Sequence, residues 1–322
     1  MSEYNLHGKY RRALVTGGAG FVGSHLVDAL LADGIEVISL DDYSGGKHEN
    51  LAHLKDEKRF QEVKADVSDR AACRPYFDGV DIVFHQAVSK NTVCMRDPER
   101  DLDVNAHGTL NMLELARAQG VKKFVHASTG SVYGEAKYFP TDEQHPLNPA
   151  SYYGVSKLCA EKYVRLFSDL HGMDTAMLRY YHVFGPRQDN SDVGGVVSIF
   201  GRRAIQNKPL IIYGDGTQLR SFTSVFDIVR INKLAALTPS TKGEAYNCAS
   251  GVKVTIQELA DAVLEYFGKQ NLGCEYQDWK PGDILKFDVN NSKVRGLGFE
   301  FNYTFKQGLH QTLDWLVEHL RA

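Results

Sequence analysis

The chain has 322 residues, 43% of them hydrophobic, and a formal net charge of −3, enough apolar content for one large or two modest cores and no basic block to mark a nucleic-acid partner. Its five cysteines, Cys73, Cys94, Cys159, Cys248 and Cys274, are odd in number and form no C-x-x-C pair, which predicts free thiols in a reducing compartment. The first 12 residues lack a signal-peptide stretch and no run approaches membrane-spanning length, so a soluble cytoplasmic protein is expected, with no membrane partner.

Residues 13–16 are short, apolar and β-prone, which predicts a buried parallel strand. Gly17, Gly20 and Gly23 follow at the spacing G-x-x-G-x-x-G, and residues 24–32 then carry helical apolar spacing. Each glycine has its own job: Gly17 for the tight turn, Gly20 for close approach of backbone to a pyrophosphate, Gly23 for packing helix on strand. The exposed N–H groups of the helix start, at Phe21 and Val22, favour phosphate. A second strand over 36–40 ends in Asp41, placed to accept hydrogen bonds from an adenine ribose. Its charge would repel a 2′-phosphate, so the expected cofactor is NAD rather than NADP.

A polar loop over 42–50 follows, then a strand over 60–65 closed by Asp66 and Val67, a short helix over 69–77 and a strand over 81–85. A long helix is predicted over 98–119, a fifth strand over 122–126 followed by a loop to 134, a long helix over 151–171 and a sixth strand over 175–179. This alternation predicts an α/β fold, a doubly wound parallel sheet of the Rossmann kind. Beyond Tyr180 the rhythm breaks into turns and short elements, which reads as a smaller mixed C-terminal substrate domain. The expected division is 1–179 plus 222–250 for the NAD-binding domain and 180–221 plus 251–322 for the substrate domain.

Tyr153 and Lys157 stand at i and i+4 on one face of the 151–171 helix. A cation at ~4 Å with an effective dielectric near ~20 is worth roughly 4 kcal/mol, enough to bring a phenol near neutrality and make it a base. The hydroxyl of Thr129, in the loop after the fifth strand, could hold a substrate hydroxyl against the phenolate. His85 at a strand end reads as structural, and the scattered His and Cys predict no metal site.

These motifs, Thr16 to Gly23, His85-Gln86-Ala87, Asn105-Ala106-His107-Gly108-Thr109, Ser131-Val132-Tyr133-Gly134, Tyr153 with Lys157, the run Arg179 to Pro186, Tyr213 to Gly216 and Pro281-Gly282-Asp283, resemble the extended short-chain dehydrogenase/reductases that act on nucleotide sugars. The resemblance runs from Leu14 to about Leu316 and is strongest to the 4-epimerases. It implies that Asp41 holds the adenosine ribose, Asp66 and Val67 the adenine, and Ala87 and Lys90 the nicotinamide and pyrophosphate side, with Asn105 behind the active site. It further implies Thr129 as the Ser/Thr of the catalytic set, Tyr153 as the base, and Lys157 as the nicotinamide-ribose contact that lowers the tyrosine pKa. Arg220 matches an arginine that grips the sugar-nucleotide diphosphate.

There are three departures. His182 replaces a usual Asn beside the substrate phosphates, where it could also simply fill the asparagine's space. Lys280 replaces a second diphosphate arginine. Gly130 and Ser131 follow Thr129, where dehydratases of this family carry Asp-Glu and decarboxylases a Glu. The expectation is therefore an NAD-dependent epimerase inverting C4 of a UDP-linked hexose through a 4-keto sugar. The alternatives are a 4-keto reductase, decarboxylase or 4,6-dehydratase of the same family, or a non-catalytic nucleotide sensor. Asp283 would border the substrate, and Phe287, four residues on, would crowd a 2-acetamido group. Val155, Cys159, Tyr163, Leu166 and Leu170 form an apolar stripe, and Leu102, Ala106, Leu110 and Leu113 a second; together they predict a homodimer through a four-helix bundle.

Overall fold

Short runs of β-branched and apolar residues make the strands β1 (Arg12–Thr16), β2 (Glu36–Asp41), β3 (Phe60–Lys64), β4 (Ile82–His85), β5 (Lys123–Thr129) and β6 (Thr175–Tyr180). In the computed structural model, which describes residues 3–89, 91–279 and 285–320, they join the strand Glu244–Cys248 in one seven-stranded sheet. The order is Glu244–Cys248, β6, β5, β4, β1, β2, β3, and every pairing among β1–β6 is parallel. The chain winds outward from β1 in one direction and from β4 in the other. That leaves the switch point, where open α/β sheets bind ligands, between the ends of β1 and β4. The fold is the doubly wound Rossmann arrangement expected.

The residues fall into two compact units, Met1–Gly134 with Pro146–Tyr180 and Ile228–Tyr246, and Glu135–His145 with Tyr181–Asp227 and Asn247–Ala322. In the first, one face of the sheet packs Leu14, Val83, Phe124 and Met177 against Met112, Leu113, Val164 and Phe167, all buried. The helices that matter for the site are α1 (Phe21–Ala32), α2 (Pro98–Leu102), α3 (Gly108–Ala118) and α4 (Tyr152–His171). Asp97 caps α2 by accepting from the Arg100 N–H, and Ser151 caps α4 by accepting from the Gly154 N–H at 3.1 Å. Gly172 ends α4 in the left-handed conformation at φ +69°.

Two elements depart from the sequence reading. β5 continues to Thr129 instead of ending at 126, so Ser128 and Thr129 are strand residues paired with Arg179 and Tyr180. The helix expected over 98–119 is interrupted by a π turn, Asp103–His107. Period counting assumes 3.6 residues per turn, and a wider turn shifts the phase of everything beyond it. Hence only Leu102 of the second stripe is markedly exposed (52%), while Ala106 and Leu113 are buried and Leu110 packs on the core. That stripe faces its own sheet.

The second unit is built on helices Val196–Ile205, Ile256–Phe267 and Phe305–Leu320, with Phe200, Leu259, Val263, Leu313 and Leu316 buried among them. Thr255 and Glu258 form a reciprocal capping box at the second of these helices. Strand pairs join Leu219–Ser221 to Lys253–Thr255 and Leu210–Tyr213 to Cys274–Gln277. Among the described residues no helix is long and apolar enough to cross a membrane.

Candidate active site

The β1–α1 turn is shaped by contacts that only glycine allows. Gly17 has φ +66°, and a Cβ there would lie 2.7 Å from the Ala87 backbone nitrogen. A Cβ on Gly23 would lie 2.1 Å from the Gly17 carbonyl oxygen, so α1 sits directly on the turn. Gly20 is the N-cap of α1 and supplies no side-chain cap, and the first turn, Phe21, Val22 and Gly23, carries no acidic residue. The N-terminal N–H groups are thus left for an external acceptor, which fits a pyrophosphate. Asp41, 5% exposed, accepts from Ala19 N–H at 3.0 Å and Tyr43 N–H at 2.8 Å. Burial raises its pKa against these hydrogen bonds and a further one from the Gly20 N–H.

Asp66, at the end of β3, accepts from the Ser68 N–H and hydroxyl at 2.8 Å and pairs with Arg100 at 2.7 Å. Burial acts to raise its pKa, yet Ser68 and Arg100 outweigh it and hold the carboxyl below its ordinary value. Arg100 also reaches Asp42 at 2.9 Å. Val67 is buried in the core. Lys90, Lys280 and Asp283 lie outside the described residues.

At the ends of β4 and β5 the structure gathers the chemistry-bearing side chains. His85 is fully buried, with Nδ1 2.7 Å from the Thr16 hydroxyl and Nε2 3.0 Å from that of Thr109. Burial, then the Lys157 charge, push it down to about 3, so it is a neutral structural ring, as read from the sequence. His126 stacks on it at 5.4 Å, held neutral by the same causes. Lys157 Nζ lies 3.4 Å from His126 Nε2.

Thr129 caps the Gly130–Val132 turn by accepting from Ser131 N–H at 3.1 Å, and its hydroxyl hydrogen-bonds Tyr153. Burial pushes the Tyr153 phenol up to about 12; the Thr129 bond pulls it down, and the charges of Asp101 and Cys94 add to the rise. Burial lowers the Lys157 ammonium to about 8, opposed by Glu161 and Asp101. The expectation that Lys157 itself brings the phenol near neutrality is therefore not met by the protein's own groups. Desolvation of both groups outweighs the attraction counted from spacing alone. Beneath them Glu161 pairs with Arg179 at 2.7 Å and accepts from Ser128 at 2.5 Å, fixing α4 against β5 and β6.

Asn105 sits in the π turn. Its Oδ1 accepts from the Ser89 N–H at 2.9 Å, and its amide donates to Asp101 and Ser156, each at 3.0 Å. Asp101 and Ser156 were not singled out from the sequence. The signal available was Asp101 standing four residues before Asn105, within one helical turn.

In the second unit His182 adopts φ +35° and its ring packs edge-on against Phe287 at 4.7 Å. Its Nδ1 is buried without a hydrogen-bond partner, and burial plus the Arg220 charge push it down to about 3. The Arg220 guanidinium lies over the Phe287 ring at 5.4 Å. His182, Arg220 and Phe287 thus form one cluster. Among the described residues no group of three or more His, Cys, Asp or Glu could hold a metal ion.

The model of the NAD dependent epimerase/dehydratase family matches residues 13–249, from β1 through the Glu244–Cys248 strand. The chain belongs to that family. It is 36% identical to the UDP-glucose 4-epimerase of Mycolicibacterium smegmatis over 94% of this chain and 98% of that protein. It is 37% identical to UDP-glucuronic acid decarboxylase 1 of Arabidopsis thaliana over 97% of this chain and 70% of that protein. The UDP-glucose 4-epimerase of Thermotoga maritima, solved with UDP-glucose, superimposes with a TM-score of 0.91 at 35% identity, covering 96% of this chain and 99% of that one. The Gly17–Gly23 turn, the uncapped start of α1 and the Asp41 carboxylate fit the NAD of the family name.

Proposed function

We propose that this protein is an epimerase that inverts C4 of a UDP-hexose through a 4-keto sugar, with Thr129, Tyr153 and Lys157 as its catalytic set. Bound NAD supplies the hydride acceptor and donor at C4, and the positive ring of its oxidised form favours the Tyr153 phenolate. Tyr153 takes the 4-hydroxyl proton and returns it after the sugar has turned its other face. Thr129 donates to the phenolate oxygen and holds the substrate oxygen beside it. Lys157 would contact the nicotinamide ribose and adds positive charge to the same helix face. Net redox is zero, so no cofactor is consumed.

Overall identity does not separate epimerase from decarboxylase, since the two relatives score alike. The residues after Thr129 favour the epimerase over the decarboxylase and the dehydratase: Gly130 and Ser131 offer no carboxyl group where those members of the family carry one, and a 4-keto reductase would instead consume added NADH. That observation carries the reading. Arg220 and His182 would hold the substrate diphosphate, and Phe287 would disfavour N-acetylhexosamines. The decisive experiment incubates purified protein with UDP-glucose, UDP-galactose, UDP-glucuronate and UDP-N-acetylglucosamine and reads products by NMR. Interconversion of the first two without added reductant is expected; loss of carbon dioxide or of water instead would replace the epimerase reading.

The same proposal includes a homodimer built on α4. Val155, Tyr163, Leu166 and Leu170 are 53%, 37%, 46% and 71% exposed along one side of that helix. Large side chains left to water along a rigid helix favour a second copy as their cover.

A further inference from the structure

Asp101 is a buried carboxylate, 1% exposed, that no step above uses. Its Oδ2 accepts from the Ser156 hydroxyl at 2.6 Å, and its Oδ1 accepts from the Asn105 amide at 3.0 Å. That same amide reaches Ser156 at 3.0 Å, so the three side chains close a ring joining α2, the π turn and α4. Ser156 sits between the two proposed catalytic residues in sequence, next to Lys157 and three after Tyr153. Its Oγ also lies 3.1 Å from the Tyr153 carbonyl oxygen, one turn back on α4, so the ring is seated on the first turns of that helix.

The charge of Asp101 is felt as well as its shape. From α4 it faces Lys157 and Tyr153, with Glu161 one turn beyond. From the segment Asn91–Cys94 comes the Cys94 thiol, and from β4 and β5 come the neutral rings of His85 and His126 toward Lys157. A negative charge at this point favours the neutral phenol and the charged ammonium at once.

We infer that Asp101 is a positioning residue that sets where on the pH axis the Tyr153–Lys157 pair works, holding α4 through Ser156 and biasing both protonation equilibria in the same direction. The inference rests on Tyr153 being the base. Removing the charge should make the phenol easier to ionise and the ammonium easier to lose, so both limbs of a bell-shaped profile should move to lower pH together.

The test is Asp101→Asn, which keeps a carbonyl oxygen for Ser156, with kcat for UDP-galactose followed from pH 5 to 10. Both limbs are expected to shift down by about one unit with the width of the bell and KM retained. Ser156→Ala, which breaks the ring but leaves the charge, should lower kcat without moving either limb. Asp101→Ser removes the charge while keeping a hydroxyl, and serves should the Asn variant fail to fold. A uniform loss of rate with unmoved limbs would overturn the inference, leaving Asp101 a packing residue. Ultraviolet titration of the Tyr153 phenolate, each protein measured against its own Tyr153→Phe counterpart, gives a second readout. Its midpoint should fall by about one unit in the Asp101 variant. If the wild-type protein converts no UDP-hexose, the functional reading fails and this titration alone decides: an unmoved midpoint rejects the role of Asp101.

Discussion

The Arg220 guanidinium lies 5.4 Å from the centre of the Phe287 ring, and the edge of His182 meets the same ring at 4.7 Å. In the proposed function Phe287 would therefore be a platform for the diphosphate grip as well as a wall for the sugar. Phe287→Ser should relax discrimination against UDP-N-acetylglucosamine, but it should also weaken every UDP-sugar. A partly desolvated cation–π contact is worth about 1 kcal/mol, or about fivefold in affinity. Steady-state kinetics should show KM for UDP-galactose up about fivefold with kcat little changed. A gain for the acetylated sugar at unchanged UDP-galactose KM would make Phe287 a wall only.

Lys157→Met should cost activity and add stability. The lysine is lowered from 10.5 to about 8 by burial, so in the folded state its charged form is disfavoured. Between those values the unfolded chain binds more protons, and stability rises as pH increases through that window. Below pH 8 the penalty is constant, on the order of 3 kcal/mol at one unit per ~1.4 kcal/mol. Thermal melting should show the variant more stable than wild type at pH 7, the gap closing toward pH 10. Equal melting at pH 7 would mean that Lys157 is better solvated or paired than its surroundings indicate.

Much of the first unit was legible because its signals are local. The Gly17, Gly20 and Gly23 spacing, the acid at Asp41 and the Tyr153–Lys157 pair depend on one turn or one helix, and the structure places them in the β1–α1 turn and on α1, β2 and α4. What escaped depends on phase or on desolvation. The π turn at Asp103–His107 rotates Ala106 and Leu113 inward, which no count at 3.6 residues per turn reveals. The Asp101–Ser156 bond joins residues 55 apart, so neither flags the other in sequence. Spacing places Tyr153 and Lys157 one turn apart on α4, but it does not carry the desolvation that pushes the phenol up to about 12.

The α4 face should seat a second copy. Leu166→Glu and Leu170→Glu together put charges on side chains now 46% and 71% exposed. Light scattering at micromolar concentration should give a dimeric mass for wild type and a monomeric one for the double variant. A monomeric wild type would reject the interface.

Tyr153→Phe removes one hydroxyl and leaves the ring. The fold and NAD binding should survive, while kcat falls by roughly 10²–10⁴, the range for loss of a positioned proton-transfer group. Fluorescence titration with the cofactor separates the two effects. Activity within about tenfold of wild type would show that another group moves the proton.

The central claim, that C4 is inverted by removing and returning its own hydrogen, is tested most directly with UDP-glucose deuterated at C4. In ordinary water the UDP-galactose formed should keep the deuterium at C4, and Tyr153→Phe should form it far more slowly with the same retention. Product that has exchanged its C4 label with solvent, or label lost with a shortened or dehydrated sugar, would contradict the mechanism.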